Sequence, residues 1–262
     1  KLYDLMSYRD KRRKFGQNYL IDPAILYEME QSINPQPNEQ FVEIGPGTGA
    51  LTSLLNKDKV HITAIDIDQE NISYLLNHFK GPASYSFIQG DILKNDFEFL
   101  GSEDSRIAGN LPYNISTQII LKLIQHYSNI QDMHFLVQKE VAEKITGVPG
   151  TKNWGKLGIK LAAFFRTEML FDVPPEAFDI QPKVTSSFIR MTPLPNKLIQ
   201  ASEMKKFFEV IDLSFMSRRK NINNNLKKMD LDWEKLGINN QLRPEDLDLE
   251  SYIKILDEVI DK

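Results

Sequence analysis

The sequence predicts an α/β protein with a mostly parallel sheet, helices on both faces of that sheet, and a small all-α domain at the C-terminal end. Over about the first 190 residues, short apolar runs alternate with segments of helical periodicity, and this alternation is typical of β-α-β units. A proline-rich break, Pro193-Leu194-Pro195-Asn196, follows, and from about Ala201 onwards only helical patterns remain. We therefore predict two domains, residues 1–194 and residues 195–262.

Each predicted strand is a short apolar run, and each predicted helix places apolar side chains three or four residues apart. The strands are residues 41–44, 60–65, 85–88, 106–108 and 133–137, followed by 168–173 and 187–191. The helices begin at Ala50, at Gln69 (with Ile72, Leu75, Leu76 and Phe79 on one face) and at Ser116, which we expect to cap a helix through Tyr127; further helical patterns cover 141–146 and 158–165.

Composition excludes several classes of protein. The chain of 262 residues has no cysteine, which excludes disulfides and thiolate metal sites, and its four histidines lack a paired spacing, so we predict no metal. No apolar stretch approaches the roughly 20 residues that span a bilayer. The polar, basic N-terminal segment does not resemble a secretory signal, so we expect a cytoplasmic protein without a membrane partner.

Two basic clusters stand out against a formal net charge of −4. A net negative charge argues weakly against a nucleic-acid partner, but the distribution of charge matters more than its sum. A single cluster is most simply a solvated face, whereas two clusters beside a base-binding motif favour contacts with RNA phosphates. The clusters are Lys11, Arg12, Arg13 and Lys14, and Arg218, Arg219 and Lys220.

A glycine-rich turn, Gly45-x-Gly47-x-Gly49, follows the first strand and precedes a helix. Glycines there let the backbone approach a ligand closely, although tight turns also use glycine for structural reasons. Asp66 ends the second strand, where a carboxylate can accept from ribose hydroxyls, and Asp91 ends the third, within reach of an adenine edge.

The turn also indicates which cofactor it binds. The third glycine comes one residue earlier than in the dinucleotide pattern, and no Walker lysine is present. Glu43, just before the turn, would repel a pyrophosphate and suit a cationic ligand. These features favour S-adenosyl-L-methionine, which carries a sulfonium and an amino group beside its adenosine, over NAD.

The tetrad Asn110-Leu111-Pro112-Tyr113 offers the groups that hold a flat, amino-bearing base. The Asn110 side-chain oxygen and the Leu111 carbonyl can each accept one hydrogen of an adenine amine, which aims the nitrogen lone pair at the sulfonium methyl. Pro112 stiffens the turn, and Tyr113 can stack on the base. The alternative is an ordinary strand-to-helix loop, with Asn and Pro as turn formers and Tyr in the core.

Phe178 is the other aromatic residue that we single out. It lies in the proline-rich segment Pro174–Val184, which predicts a stiff loop. A ring on such a loop can cover the second face of a flipped base, and a core phenylalanine is the alternative.

These motifs resemble the ribosomal RNA adenine N6-dimethyltransferases, in that family's order along the chain. The resemblance favours the housekeeping branch, which dimethylates two adjacent adenosines of the 3′-terminal hairpin of 16S rRNA. The macrolide-resistance branch usually has Gly-Thr-Gly-Lys-Gly where this chain has Gly-Pro-Gly-Thr-Gly, and tends to have Asn-Ile-Pro-Tyr in place of Asn-Leu-Pro-Tyr. The matching segments are 15–20, 43–52, 110–117, 138–141, 174–178, 182–186 and Phe215–Leu226.

The resemblance implies a Rossmann-like class I methyltransferase fold and further site residues. Asn18 and Leu20 match positions that contact the cofactor, and Gly45, Asp91 and Asn110 match the rest. Asp66 also matches but departs from the family, since many relatives have Glu there. The expected partner is 16S rRNA in the immature small subunit, bound by a monomer. A large-subunit rRNA methylase and an assembly factor whose chemistry is secondary remain the alternatives.

Overall fold

A computed structural model describes residues 18–100 and 104–261, and the chain within it divides into two compact units. The sheet unit comprises the described residues up to Ala142 together with Glu168–Thr192. The C-terminal unit comprises Glu143–Thr167 and the described residues from Pro193 onwards. The chain passes between the two units three times, after residues 142, 167 and 192, and the predicted boundary at residue 194 corresponds only to the last of these. No pattern in the sequence predicts that residues 143–167 belong to the C-terminal unit.

A seven-stranded sheet forms the centre of the described sheet unit, in the order β3-β2-β1-β4-β5-β7-β6. Strands β1 to β5 pair in parallel, and β7 is antiparallel to β5. The strands are β1 Gln40–Ile44, β2 His61–Asp66, β3 Ser84–Gln89, β4 Ser105–Asn110, β5 Ile130–Gln138, β6 Phe165–Val173 and β7 Ser186–Pro193. The predicted Rossmann-like α/β class is confirmed.

Of the predicted helix starts, those at Ala50 and Gln69 are confirmed, whereas the patterns predicted over 141–146 and 158–165 begin two residues earlier. Helices connect these strands. They are α1 Pro23–Ile33, α2 Ala50–Leu55, α3 Gln69–His78, α4 Ser116–Leu123, α5 Lys139–Ile145, α6 Lys156–Ala162, α7 Met204–Ser214, α8 Ile222–Leu226, α9 Trp233–Leu236 and α10 Leu249–Ile260. Short 3₁₀ segments are Glu98–Leu100, Ile124–Asn129, Pro175–Ala177, Lys227–Met229 and Pro244–Asp246.

Two local predictions about helices are wrong. Ser116 is the first residue of α4 rather than its cap, because its hydroxyl donates to the carbonyl of Tyr113 (3.3 Å) and the cap position falls on Ile115. Leu76 does not share the buried face of α3. It is 61% exposed, whereas Ile72 and Leu75 are buried, so the apolar stripe of that helix is narrower than the spacing predicts.

The core of the sheet unit explains why its strands are continuous apolar runs. Parallel strands covered on both faces bury side chains that point in either direction. In β1 and β2, Phe41, Ile44, Ile62 and Ala64 are each at most 2% exposed. Their burial holds the carboxyl ends of the strands, and the loops that follow them, on a rigid frame.

The C-terminal unit has its own buried core and polar ties. The Trp154 indole donates to the Leu247 carbonyl (2.7 Å), and the buried Lys160 ammonium pairs with Asp212 (2.9 Å). Phe207 and Tyr252 are fully buried on α7 and α10. These contacts order α7, and Arg218, Arg219 and Lys220 lie in the turn between α7 and α8.

Within residues 18–100 and 104–261, no helix combines the length and apolar character needed to cross a membrane. The same residues contain no group of three or more histidine, cysteine, aspartate or glutamate side chains arranged to hold a metal ion.

Candidate active site

A cavity of about 230 Å³ lies at the carboxyl ends of β1, β2 and β4 in the sheet unit. Loops after adjacent parallel strands converge at this edge, which is where ligands bind in open α/β sheets. The cavity therefore brings together both motifs that the sequence singles out. Its lining includes Asn18, Tyr19, Gly45, Gly47, Asp66, Ile67, Asp91, Ile92, Asn110, Leu111, Pro112, Tyr113 and Ile119.

The glycine turn after β1 adopts a backbone conformation that side chains disfavour. Gly45, Gly47 and Gly49 have φ values of +68°, +56° and +88°. A Cβ on Gly47 would lie 2.7 Å from Cε1 of Tyr19, so the Tyr19 ring packs directly on the turn. The turn thus needs glycine both for its dihedral angles and for this contact.

The carboxylate of Asp66 is held by three donors at the end of β2. Its Oδ2 accepts from the Gly47 amide (3.1 Å) and from the Asn71 side chain (3.0 Å), and its Oδ1 accepts from the Asp68 amide (2.8 Å). Burial raises the pKa of Asp66, and the three donors act against that shift. This carboxylate is therefore oriented before any ligand binds.

Asp91 and a set of isoleucines form the far wall. Asp91 accepts from the Leu93 amide (2.9 Å) through Oδ1, and its Oδ2 lies 3.8 Å from the exposed ammonium of Lys94. Ile67, Ile92 and Ile119 contribute apolar surface beside it. A carboxylate next to apolar side chains suits a flat heterocycle that carries an amino group.

The side chain of Asn110 has a fixed orientation. Its amide nitrogen donates to the Asn18 carbonyl at 2.7 Å. Because a carbonyl can only accept, the atom facing it must be Nδ2, so Oδ1 is turned away and retains its accepting capacity. The backbone of Asn18 thereby sets which face of this amide is available in the cavity.

The rest of the tetrad is equally constrained. The Leu111 amide donates to the Leu136 carbonyl (3.1 Å), while no group among the described residues donates to the Leu111 carbonyl. The Tyr113 hydroxyl lies 2.5 Å from that of Ser186, which is fully buried. Burial raises the pKa of Tyr113, so this phenol stays protonated near neutral pH.

Two predicted site residues, Leu20 and Phe178, do not line this cavity. They form an isolated β-bridge with each other and belong to the buried core, at 6% and 2% exposure. In this structure Phe178 is a core residue, since its ring packs inside the sheet unit rather than over an open face. Its predicted role in covering a base would require the ring to leave that packing.

Glu43 is buried beside the main cavity rather than in its wall. It is 1% exposed, and burial raises its pKa to about 8, with the nearby Asp66 contributing to the rise and Thr52 opposing it. It is absent from the wall of the main cavity and lines a smaller adjacent pocket with Tyr19 and Asn110. A carboxyl that is mostly protonated at pH 7 does not select a cation by charge.

The basic residues fall into two groups. Lys11, Arg12, Arg13 and Lys14 lie outside the described residues. Arg218, Arg219 and Lys220 are exposed, and within the described part of the chain they make no ion pair. Arg218 also lines a cavity of about 240 Å³ in the C-terminal unit, together with Lys144, Lys156 and Phe215. Lys144 and Lys156 thus line the same cavity as Arg218, and Lys156 is paired with Asp212 (3.3 Å).

Comparison with known proteins gives the family. The family described as "Ribosomal RNA adenine dimethylase" matches residues 8–261. The chain belongs to that family. It is similar to two proteins called "Ribosomal RNA small subunit methyltransferase A". That of Nitrosospira multiformis is 40% identical over 93% of this chain and 94% of its own length, and that of Acinetobacter baylyi is 38% identical over 95% and 92%.

Solved structures agree on the fold. A dimethyladenosine transferase from Plasmodium falciparum superposes with a TM-score of 0.79 at 23% identity, covering 92% of this chain and 97% of that one. The 23S rRNA methyltransferase ErmE gives 0.69 at 21% identity, covering 94% and 100%. Family membership makes this protein an rRNA adenine methyltransferase with S-adenosyl-L-methionine as its cofactor.

The lining of the cavity fits that cofactor, and some of its residues were not predicted. Oriented carboxylates suit ribose hydroxyls and an adenine amine, and the glycine turn lets the backbone approach a ligand closely. Tyr19, Ile67 and Ile92 line the cavity without having been predicted, and Asn71, which holds Asp66 from behind, was not predicted either. The two isoleucines carry a signal, because each directly follows a strand-ending aspartate.

Proposed function

We propose that this protein transfers methyl groups from S-adenosyl-L-methionine to the N6 amines of two adjacent adenosines in the 3′-terminal hairpin loop of 16S rRNA. The product is N6,N6-dimethyladenosine. The observation that carries the proposal is the fixed Asn110 amide, whose Oδ1 retains its accepting capacity in the cavity formed by the glycine turn and Asp66. We further propose that the protein acts as a cytoplasmic monomer on the immature small subunit.

The tetrad makes a weak nucleophile reactive by positioning it. The lone pair of an adenine amine is delocalised into the ring, so the amine reacts slowly. Asn110 Oδ1 and the Leu111 carbonyl accept its two hydrogens, which makes the nitrogen more pyramidal and directs its lone pair. Pro112 limits the motion of the turn, and Tyr113 stacks on the base. Such positioning can contribute about 7–11 kcal/mol.

The cofactor residues surround the same space. Asp66 would accept from the ribose, Asp91 from the adenine amine, and Gly45 and Gly47 would let the backbone approach the amino-acid moiety, with Asn18 closing the opposite side. When bound, S-adenosyl-L-methionine supplies a methyl group made electrophilic by its sulfonium. The apolar side chains of Ile67, Ile92 and Ile119 would contact the adenine.

The predicted choice of the small subunit is supported by degree of similarity. The relatives named as small-subunit methyltransferases reach 40% identity over nearly the whole chain, whereas the 23S enzyme is 21% identical. The decisive experiment is to methylate small and large subunits from cells that lack both modifications, and to map the modified adenosines by mass spectrometry. Dimethylation of a 23S adenosine alone would overturn the proposal.

Asn110→Ala tests the catalytic mechanism. We expect methyl transfer to fall about 100- to 1000-fold, the size that follows when one oriented hydrogen-bonding group is lost, while RNA binding stays near wild type. Single-turnover methylation and filter binding measure the two effects separately. Asn77→Ala is a matched control, because Asn77 is an exposed asparagine of the same unit that does not line the cavity. Full activity of Asn110→Ala would refute the mechanism.

Arg218, Arg219 and Lys220 are proposed to contact RNA phosphates, with Lys144 and Lys156 beside them. Each phosphate contact that is lost should reduce the slope of log affinity against log salt by about 0.7–0.9. Replacing the three cluster residues with glutamine should therefore weaken binding and flatten that slope. An unchanged slope would show that the cluster does not contact RNA. Lys11, Arg12, Arg13 and Lys14 remain predicted contacts.

A further inference from the structure

A buried hydrogen-bond chain connects the glycine turn, the end of β2 and helix α3. The Tyr19 hydroxyl donates to Oδ1 of Asn71 (3.0 Å), and Nδ2 of Asn71 donates to Oδ2 of Asp66 (3.0 Å). The Gly47 amide donates to the same Asp66 oxygen (3.1 Å). Asn71 is 6% exposed, lies on the first turn of α3 and does not line the cavity. It can therefore affect a ligand only through its neighbours.

Asp66 depends on these donors more than a longer side chain would. Asp has one methylene fewer than Glu with which to reach a ligand. The carboxylate is also 5% exposed, so it has little solvent to stabilise it. Asn71 offsets that loss and fixes the rotation of the carboxylate at the same time.

The accepting capacity of Asp66 determines how many ligand hydroxyls it can hold. A carboxylate accepts about four hydrogen bonds, two on each oxygen. Oδ2 already accepts two, from Gly47 and Asn71, and Oδ1 accepts one, from the Asp68 amide. One site on Oδ1 remains. Asp66 is therefore arranged to accept from a single hydroxyl, not from both hydroxyls of a ribose.

We propose that Asn71, supported by the Tyr19 hydroxyl, is a positioning residue that orients Asp66 for one ribose hydroxyl of the cofactor. This inference rests on the proposed function, because it takes an adenosine-bearing cofactor in the main cavity. Tyr19 contributes twice, since its ring packs on Gly47 while its hydroxyl holds the Asn71 amide. The turn, the carboxylate and α3 are thus held together by these contacts.

The test measures selectivity for ribose. S-adenosylhomocysteine and its 2′-deoxy and 3′-deoxy counterparts are titrated by calorimetry into the wild type, Asn71→Ala and Tyr19→Phe. We expect the wild type to lose about tenfold or more for one deoxy ligand and little for the other. Asn71→Ala should bind S-adenosylhomocysteine about tenfold more weakly, with its preference for ribose largely gone. Tyr19→Phe, which keeps the ring, should show the same pattern at smaller size.

The matched control is Asn77→Ala, because Asn77 lies on the same helix, is exposed, and donates only to the carbonyl of Ser73 (2.8 Å). It should bind all three ligands like the wild type. Equal weakening of all three ligands by both Asn71→Ala and Tyr19→Phe would overturn the proposal, as would an unchanged preference for ribose in both variants. A wild type that does not bind S-adenosylhomocysteine would instead contradict the proposed function itself.

Discussion

The two ends of the parallel sheet treat buried polar groups in opposite ways. At the amino ends of β1, β4 and β5, the Arg106 guanidinium pairs with Asp132 (2.9 Å) and Glu39 (2.9 Å) and donates to the Ile33 carbonyl (2.6 Å). At the carboxyl ends, Asp66 and Asn110 each make protein contacts on one side and keep accepting capacity on the other. Polar groups are buried at both ends, but only those at the carboxyl ends keep unused hydrogen-bonding capacity.

This difference indicates that the amino ends of the strands contribute to stability and the carboxyl ends to ligand binding. Burial alone would lower the pKa of Arg106, but Asp132 and Glu39 raise it above its usual value, so the ion cluster is charged and mutually satisfied. Glu43, on the same strand β1 but near its other end, has a pKa raised to about 8. A group that is buried without a countercharge is destabilising, and sites with such groups are where ligands bind.

The largest expected effect is a loss of stability at the amino ends of the strands, where the hydrogen bonds of Arg106 are satisfied. Arg106→Ala removes a buried guanidinium and leaves the partly buried carboxylates of Asp132 and Glu39 without their cation, so the free energy of unfolding should fall by about 3–5 kcal/mol. Urea unfolding followed by circular dichroism measures it. In the fraction that stays folded, cofactor affinity should be unchanged, because the cluster lies at the opposite end from the cavity. A loss of cofactor affinity in Arg106→Ala without a loss of unfolding free energy would show that the two ends do not differ in this way.

The second prediction concerns Glu43, whose pKa of about 8 in the folded state lies above its ordinary value of 4.5. The folded state therefore holds a proton that the unfolded state has released, and stability falls as pH rises through this window, by up to about 1.4 kcal/mol per pH unit. Glu43→Gln removes that proton equilibrium. Between pH 6.5 and pH 8 the variant should lose about 2 kcal/mol less than the wild type.

Urea unfolding at several pH values tests this prediction, with Glu28→Gln as the control because Glu28 is an exposed glutamate of α1. His134 should give stability the opposite pH dependence at lower pH. Its burial lowers its pKa to about 4, so stability should also decline as pH falls below about 6.5. Identical pH slopes for wild type and Glu43→Gln above pH 6.5 would show that Glu43 is ionised in the folded protein.

The smallest expected effect concerns the hydroxyl pair Tyr113–Ser186. Tyr113→Phe and Ser186→Ala each remove one hydroxyl, and each should reduce kcat/KM by a few-fold, corresponding to about 1 kcal/mol. The double variant should resemble either single one, because the two groups act together. Ser187→Ala is the control, since Ser187 is equally buried but donates to Asp172 (2.7 Å). Additive losses would show that the hydroxyls act independently.

Much of the sheet is predictable because its strands are uninterrupted apolar runs. Strands β1, β2 and β3 begin and end within about one residue of their predicted limits. Strand β4 is longer than predicted, Ser105–Asn110 against 106–108. Its ends are polar or glycine, and only pairing with β1 and β5 makes them extended. Local pattern carries no information about such pairing.

The candidate site likewise contains residues that the local sequence pattern predicts and residues that only tertiary contacts place. Gly45, Gly47, Asp66, Asp91 and Asn110 were predicted as residues that follow strands, and the topology of a parallel sheet brings such residues to one cavity. Asn71 was missed because its partner Tyr19 is 52 residues distant, and an asparagine on a helix has no distinguishing pattern. The burial of Phe178 was undecidable, because its pairing partner, Leu20, is set by tertiary structure.

In the hydrogen bond between Asn110 and Asn18, Asn110 contributes its side-chain amide and Asn18 contributes only its backbone carbonyl. Substituting residue 18 therefore leaves the carbonyl that orients the reactive amide in place. Inserting or deleting a residue before Leu20, whose bridge to Phe178 anchors this segment, would shift that carbonyl out of reach. Evolutionary drift here should be restrained in segment length more than in amino-acid identity.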